Sequence, residues 1–272
     1  MPVFRNPARP AFGIGRSAVL LAAGLLVAHP AAASDGRFHV GIQAAVADAE
    51  PEFGRVFHNR TQAVPTGLGR VLRDRDEDSE TLTGTGLLLG YRQTFADGLF
   101  LEAELDVTVH GGTARGRLSG VGVSPGRNQA GESWPYRWRF EKDRGFGLTL
   151  RLGGRPASLR ALAGSDSSLY LLAGVRRTHN SFGYHSRGCT LGGGCTDDQY
   201  IGGAPHWDFY QTGWSFGGGL EVPLGANLAL RGELRHTQYE KHRWGQYRTD
   251  FANVFRLDMR ETELALALIR RL

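Results

Sequence analysis

The chain has 272 residues, 41% of them hydrophobic, with 39 glycines, two cysteines and a formal net charge of +5. Arg5, Arg9 and Arg16 supply three of those charges ahead of an apolar run, and the +2 left over the remainder is too small to argue for a nucleic-acid partner. Beyond that run no stretch holds the ~20 apolar residues of a membrane helix. A helical membrane protein is thereby excluded, but one that crosses with strands is not, because only alternate strand residues meet lipid.

The basic start is followed by an apolar run from Ser17 to Ala28 and by Ala31-Ala32-Ala33 before Ser34. This is the pattern of a secretory signal. Residues 1–33 are expected to be cleaved, and residues 34–272, with no linker dividing them, to form one domain. Eight segments with a period of two follow. Phe38, Val40, Ile42, Ala44 and Val46 share one face of the first, Phe38 to Val46. The second and third, Thr81 to Phe95 and Leu99 to His110, form a hairpin reversed at Ala96-Asp97-Gly98. Its second arm has two faces of opposite chemistry: Leu99, Leu101, Ala103, Leu105, Val107 and Val109 alternate with Glu102, Glu104, Asp106 and Thr108.

The fourth segment, Trp138 to Leu152, sets Phe146, Leu148, Leu150 and Leu152 against Gly147, Thr149 and Arg151. The fifth, Leu169 to Arg177, sets Leu169, Leu171, Ala173 and Val175 against Tyr170, Leu172, Gly174 and Arg176. The sixth, Phe209 to Val222, carries Tyr210, Trp214, Phe216 and Leu220 on one side and Gln211, Gly213, Ser215, Gly217 and Gly219 on the other. A turn at Pro223 to Asn227 leads to the seventh, Leu228 to His236, where Leu228, Leu230 and Leu234 oppose Arg231, Glu233 and Arg235. The eighth, Met259 to Leu272, opposes Leu264, Leu266 and Leu268 to Glu263, Ala265, Ala267 and Arg271.

The gaps between segments are lopsided. Those after the second, fourth and sixth are short or intermediate, whereas Ala47 to Glu80, Gly111 to Arg137, Thr178 to Asp208 and Thr237 to Asp258 are long and polar. An even-stranded membrane barrel with both termini in the periplasm has this asymmetry. A soluble, lipocalin-like barrel would instead turn the leucine rows inward. The glycine-rich opposite faces suit a crowded interior better than an exposed one. Phe95, Phe100, Trp134, Tyr136, Trp138, Trp207, Phe209 and Tyr210 near the segment ends read as interfacial girdles.

The leader, the LLLGYRQTF and LFLEAELDVT arms of the hairpin, LALRGELRHTQY and the closing ETELALALIRRL resemble the small outer-membrane β-barrel family of Gram-negative bacteria, the OmpA-type transmembrane domain and its porin-like or opacity-like relatives. The resemblance covers essentially all of residues 34–272. It implies an all-β fold: an eight-stranded antiparallel up-and-down transmembrane β-barrel in the cell outer membrane, with short periplasmic turns and four long extracellular loops. It also implies contact with outer-membrane lipid and lipopolysaccharide, and insertion by the barrel-assembly machinery. Family members usually end in an aromatic residue, where this chain ends in Leu272. No peptidoglycan-binding domain follows the last strand, so cell-wall tethering is not expected.

In such a barrel Arg92, Glu102, Glu104, Asp106, Arg151, Arg176, Arg231, Glu233, Arg235, Glu263 and Arg271 project into a lumen just wide enough for side chains to fill. Charges of one sign there would be prohibitive, but mixed acids and arginines pair. An internal charge network is the expected outcome and a narrow pore the alternative. Cys189 and Cys195, in an exported chain, are expected to form a small-loop disulfide. The two thiols lack a second pair, and His185 and His206 read as solvated, so no metal site and no cofactor is expected.

A lipid A modifying enzyme, deacylase or acyltransferase, is the reading from another class. His179 and Ser181 lie two apart on one strand face, and Asp197 or Asp198 would orient the histidine. The deacylase family carries His-x-Ser near the end of its penultimate strand, where this chain has His236-Thr237-Gln238 without a serine. The loops mix signs, as in Arg70, Arg73 and Arg75 among Asp74, Asp76, Glu77 and Asp78, or Glu240-Lys241-His242-Arg243, and suit a hydrated surface or lipopolysaccharide phosphates more than nucleic acid. A structural or surface-interaction role without catalysis is therefore expected, with an extracellular ligand that the residues do not identify.

Overall fold

The computed structural model describes residues 33–59, 71–95, 98–118, 136–156, 167–189, 196, 200–247 and 251–272. Apart from Ala33, the expected leader lies outside the described residues, as do Cys195, Asp197 and Asp198. Among the described residues twelve strands form one sheet: β1 (Ala33–Asn59), β2 (Val71–Glu77), β3 (Glu80–Phe95), β4 (Phe100–Gly111), β5 (Ala114–Leu118), β6 (Tyr136–Gly154), β7 (Ser168–Cys189), β8 (Tyr200–Gly203), β9 (His206–Pro223), β10 (Leu228–Tyr239), β11 (His242–Tyr247) and β12 (Phe251–Arg271). Eight of them, β1, β3, β4, β6, β7, β9, β10 and β12, pair antiparallel in that order. The ring closes between β12 and β1, whose register runs from His39 opposite Arg271 to Asn59 opposite Phe251. This is an eight-stranded antiparallel barrel.

The alternation dictates the faces. Ile42, Leu87, Leu105, Leu171, Trp214, Leu230 and Leu266 are exposed on the outer surface, while Glu102, Glu104, Arg151, Arg176 and Arg231 are buried inside. A strand has one side chain per face every two residues, so the same backbone serves a lipid-facing row and a lumen row. The β3–β4 turn closes tightly: Gly98 has φ 81° and donates its amide to the Phe95 carbonyl at 3.0 Å. Inside, Gly219 lets neighbouring groups meet, since a Cβ there would collide with the Tyr170 hydroxyl and lie 2.5 Å from the Gly232 carbonyl.

Strands extend into the long gaps, which corrects the boundaries expected from the sequence. β1 runs on to Asn59, β7 to Cys189 and β12 back to Phe251, while β2, β5, β8 and β11 add short strands to β1, β6, β7 and β12. The barrel wall thus continues above the apolar band as a head. There the chemistry of the faces inverts. Phe53, Trp138, Phe140, Phe182, Tyr184, Phe255, Leu257 and Met259 are buried inside one core, and polar residues such as Glu50, Arg139, Asp208 and Arg260 face out. Water replaces lipid around this part, so the apolar side must turn inward.

Several expected girdle aromatics are consequently core residues. Phe100 packs beside Tyr170 and Leu172 in the lumen, Tyr136 and Trp138 belong to the head core, and Trp207 and Phe209 pack against it. Tyr210 does face outward, and Trp134 lies outside the described residues. For Trp138 the cause is a β-bulge. The β6–β7 register shifts between Lys142 and Arg144, so Gly147, Thr149 and Arg151 face inward below it and Tyr136, Trp138, Phe140 and Lys142 above it.

Depth distinguishes lipid from water around the same wall. Leu266→Arg, at the centre of the apolar band, is expected to cost about 2–4 kcal/mol of folding free energy in liposomes. Gln238→Arg, on the outer face of the head, should stay within about 0.5 kcal/mol, both read from urea titrations.

Candidate functional site

Among the described residues, ionisable side chains from all eight ring strands converge in the lumen. At its lower level three guanidinium groups share four carboxylates. Arg92 donates from Nε to Glu102 at 2.6 Å and from both Nη atoms to Glu221 at 2.7 Å. Arg231 donates to Glu104 at 2.6 Å, to Glu102 at 2.8 Å and to Glu221 at 2.9 Å. Arg151 donates to Glu233 at 2.6 Å, to Glu104 at 2.7 Å and to Glu102 at 3.2 Å. Arg271 reaches Glu221 and Arg235 reaches Glu233, each at 2.7 Å, and the Tyr170 hydroxyl donates to Glu233 at 2.9 Å. Such charge-assisted forks are the strong class of hydrogen bond, and they are what makes burial of these ions tolerable.

The upper level is bonded more loosely. Arg176 donates to Asp106 at 3.0 Å, but the Glu263 carboxylate stands 3.9 Å from Arg176 and 3.7 Å from Arg235, beyond direct hydrogen-bond length. Above them Lys142 donates to both oxygens of Glu261 at 2.6 and 2.8 Å, and the Tyr239 hydroxyl adds a bond to Glu261 at 3.0 Å. Between the periplasmic mouth and this level Arg92, Lys142, Arg151, Arg176, Arg231, Arg235 and Arg271 face Glu102, Glu104, Asp106, Glu221, Glu233, Glu261 and Glu263, so the formal charges balance.

The head core caps the column. Phe53 lies 4.8 Å from Phe182 and 5.9 Å from Phe255 between ring centroids, Trp244 lies 5.4 Å from both Phe182 and Trp207, and Tyr184 lies 4.7 Å from Tyr136. Asp76 ties this core to its surroundings by accepting from the Trp138 indole at 2.7 Å and the Arg117 amide at 2.6 Å. Ion pairs thus occupy the membrane-level lumen beside Phe100, Tyr170 and Leu172, and aromatic rings occupy the head.

A family model described as the outer membrane protein beta-barrel domain matches residues 18–255. The chain belongs to this family. As an outer-membrane barrel it sits in the cell outer membrane. No curated protein matches it in sequence. Among solved structures, the attachment invasion locus protein Ail of Yersinia pestis is 11% identical over 83% of this chain and 98% of its own, with a TM-score of 0.29. Neisserial surface protein A is 15% identical over 87% and 99%, with a TM-score of 0.34. The outer membrane protease OmpT of Escherichia coli is 8% identical over 87% and 97%, with a TM-score of 0.39.

For this outer-membrane barrel, the structure places every charge assigned to the lumen from the sequence on the inner face: Arg92, Glu102, Glu104, Asp106, Arg151, Arg176, Arg231, Glu233, Arg235, Glu263 and Arg271. Three members escaped sequence reasoning. Glu221 and Glu261 share the parity of the inward residues Gly219 and Glu263, a signal that was present, whereas Lys142 faces inward only because of the bulge. His39 also joins the network, 3.1 Å from Glu104. His39, Glu102 and Glu104 offer ligand atoms within 4.8 Å of one another, but the two carboxylates already accept from three guanidinium groups, whose charge opposes a cation's.

Of the enzymatic candidates, His179 and Ser181 lie outside the lumen, on the outer face of the head. His179 pairs with Asp143 at 3.2 Å and packs against Tyr210, and it does not engage Ser181. Ser181 instead meets His206 Nε2 at 3.1 Å, and Asp208 lies 3.6 Å from that same nitrogen. A relay needs base and orienting acid on opposite ring nitrogens, and both His206 and Asp208 are more than half exposed. Cys189 ends β7 while its expected partner Cys195 lies outside the described residues.

Removing one partner of the lower network should be far costlier than removing a surface one. Arg231→Met leaves three carboxylates short of a cation and is expected to destabilise by about 3–5 kcal/mol. The exposed Arg260→Ala, which loses its contacts with Glu50 and Glu77, should leave the unfolding midpoint close to that of the wild type, both read from denaturant titrations. In the head, burial against Phe209 at 4.3 Å holds the His242 imidazole below its usual range. The unfolded chain therefore binds the proton first, and head stability should fall as pH drops through about 6.5. Amide exchange in β11 at pH 5 and pH 7.5 checks this, and His242→Phe should remove the difference.

Proposed function

We propose that this protein is a structural and surface-presenting barrel: a sealed wall element of the outer membrane whose rigid head offers an interaction surface, with neither an open pore nor a catalytic centre. The observation that carries the reading is the two-tier filling of the interior. An eight-stranded lumen is only wide enough for its own side chains. Here Arg151, Arg231 and Arg176 occupy it at membrane level, each 1% exposed, and Phe53, Phe182 and Phe255 occupy it above, each at most 1% exposed.

The head is suited to recognition because its outer face is polar while its inner face is packed. Strands backed by an aromatic core hold surface groups in fixed register at low entropic cost on binding. Outer-membrane lipid and lipopolysaccharide would contact the wall, and the barrel-assembly machinery would insert it. The extracellular ligand would meet the polar rim.

Reconstituted in planar bilayers, the protein is expected to give no discrete conductance steps, and persistent openings in the wild type would refute the sealed lumen. Lipid A mass spectra from cells expressing the wild type and the Ser181→Ala/His206→Ala variant should be the same. A mass change that depends on these residues would establish the enzymatic alternative.

A further inference from the structure

The periplasmic mouth holds a feature that neither the sealed lumen nor the head uses. A cavity of about 220 Å³ opens there, bordered by Arg37, Arg92, Arg155, Arg231 and Arg271, with Glu221 as its acid. The arginines come from different parts of the ring: Arg37 from β1, Arg92 from β3, Arg231 from β10, Arg271 from β12, and Arg155 from the residues just after β6. Glu221, on β9, is shared by three of them, Arg92, Arg231 and Arg271. It already accepts five hydrogen bonds, two from Arg92, two from Arg231 and one from Arg271.

The network above has balanced its charges without Arg155, which stands exposed at the rim and makes no ion pair among the described residues. Arg271 engages Glu221 through Nη2 alone among the described residues, which leaves further N–H groups of its fork to serve the cavity. Arg155 gives the mouth an excess of positive charge over that balanced network, and a concave site focuses such a field on what enters. Guanidinium forks match the planar or tetrahedral oxygens of carboxylate and phosphate. The floor is closed by the Arg92, Arg231 and Glu221 contacts, so an occupant enters from the periplasm and does not pass through.

We propose that the periplasmic mouth is an anion-binding site for a phosphate- or carboxylate-bearing solute, held chiefly by Arg155 and Arg271 over the Arg92–Glu221–Arg231 floor. The lining is mainly polar and inward-facing, built around the Arg92–Glu221–Arg231 contacts, which favours a dissolved anion over a headgroup in the surrounding leaflet. The proposal is independent of the role assigned to the head.

Calorimetric titration of the folded barrel in phosphatidylcholine bilayers with inorganic phosphate, against chloride at matched ionic strength, tests it. Phosphate-specific binding is expected in the wild type, weakened by about tenfold or more in Arg155→Glu and kept only in part in Arg155→Lys, which retains the charge but not the fork. Heat-modifiable migration on detergent gels verifies that both variants fold. No phosphate-specific binding, or equal binding in Arg155→Glu, would overturn the site. Bilayers containing phosphatidylglycerol separate the sources: an unchanged phosphate signal keeps the ligand in water, whereas its loss would assign the site to the lipid headgroup and overturn the dissolved-anion proposal.

Discussion

Arginine and carboxylate side chains taken out of water inside a narrow barrel must satisfy one another, and the rest of this structure follows from how they do so. Desolvating an ion costs several kcal/mol, and a single unmatched charge would threaten a fold whose net stability is about 5–15 kcal/mol. The solution is distributed. Glu102 sits against Arg92, Arg151 and Arg231 at once, and Glu221 against Arg92, Arg231 and Arg271. These residues come from β3, β4, β6, β9, β10 and β12, so the network ties distant strands across the lumen as backbone ladders tie neighbours around it.

The same wall meets two solvents, and its two faces respond to them separately. At membrane level Leu105 and Asp106 point respectively to lipid and to Arg176. In the head Phe182 points inward to Phe53, while Ser181 points outward to His206. Pleat and hydrogen bonding continue through the change, and only the assignment of apolar residues to faces reverses. In β6 the bulge at Asp143 adjusts the parity, which turns Trp138 and Lys142 inward.

This reversal explains what could be read from the chain and what could not. The hairpin of β3 and β4 was legible because Leu101 to Val109 alternates without interruption against Glu102 to Thr108, and so were the lumen charges that share that parity. The head was not, because Asp48, Glu50, Glu52 and Phe53 look like a polar loop to a reader who expects leucine outside. Trp138 reads as a girdle residue from its place near a segment end, where its parity also matches Leu148 and Leu150, and only the inserted residue turns it inward. Lys142 was hidden for the same reason. Glu221 and Glu261 were readable in principle. The mouth cavity was not, because it depends on Arg155 converging in space with Arg92 and Arg271, a juxtaposition that no single strand displays.

The central claim is that the lumen holds its charges only as partners. Lys142 and Glu261 test it most cleanly, being fully buried, bonded at 2.6 Å and removed from the shared lower network. A double-mutant cycle with Lys142→Met and Glu261→Gln, measured by denaturant unfolding in lipid, is the decisive experiment. Each single change should be strongly destabilising and the double variant markedly less so than their sum, a coupling of about 0.5–3 kcal/mol. Strict additivity of the two losses would contradict the account.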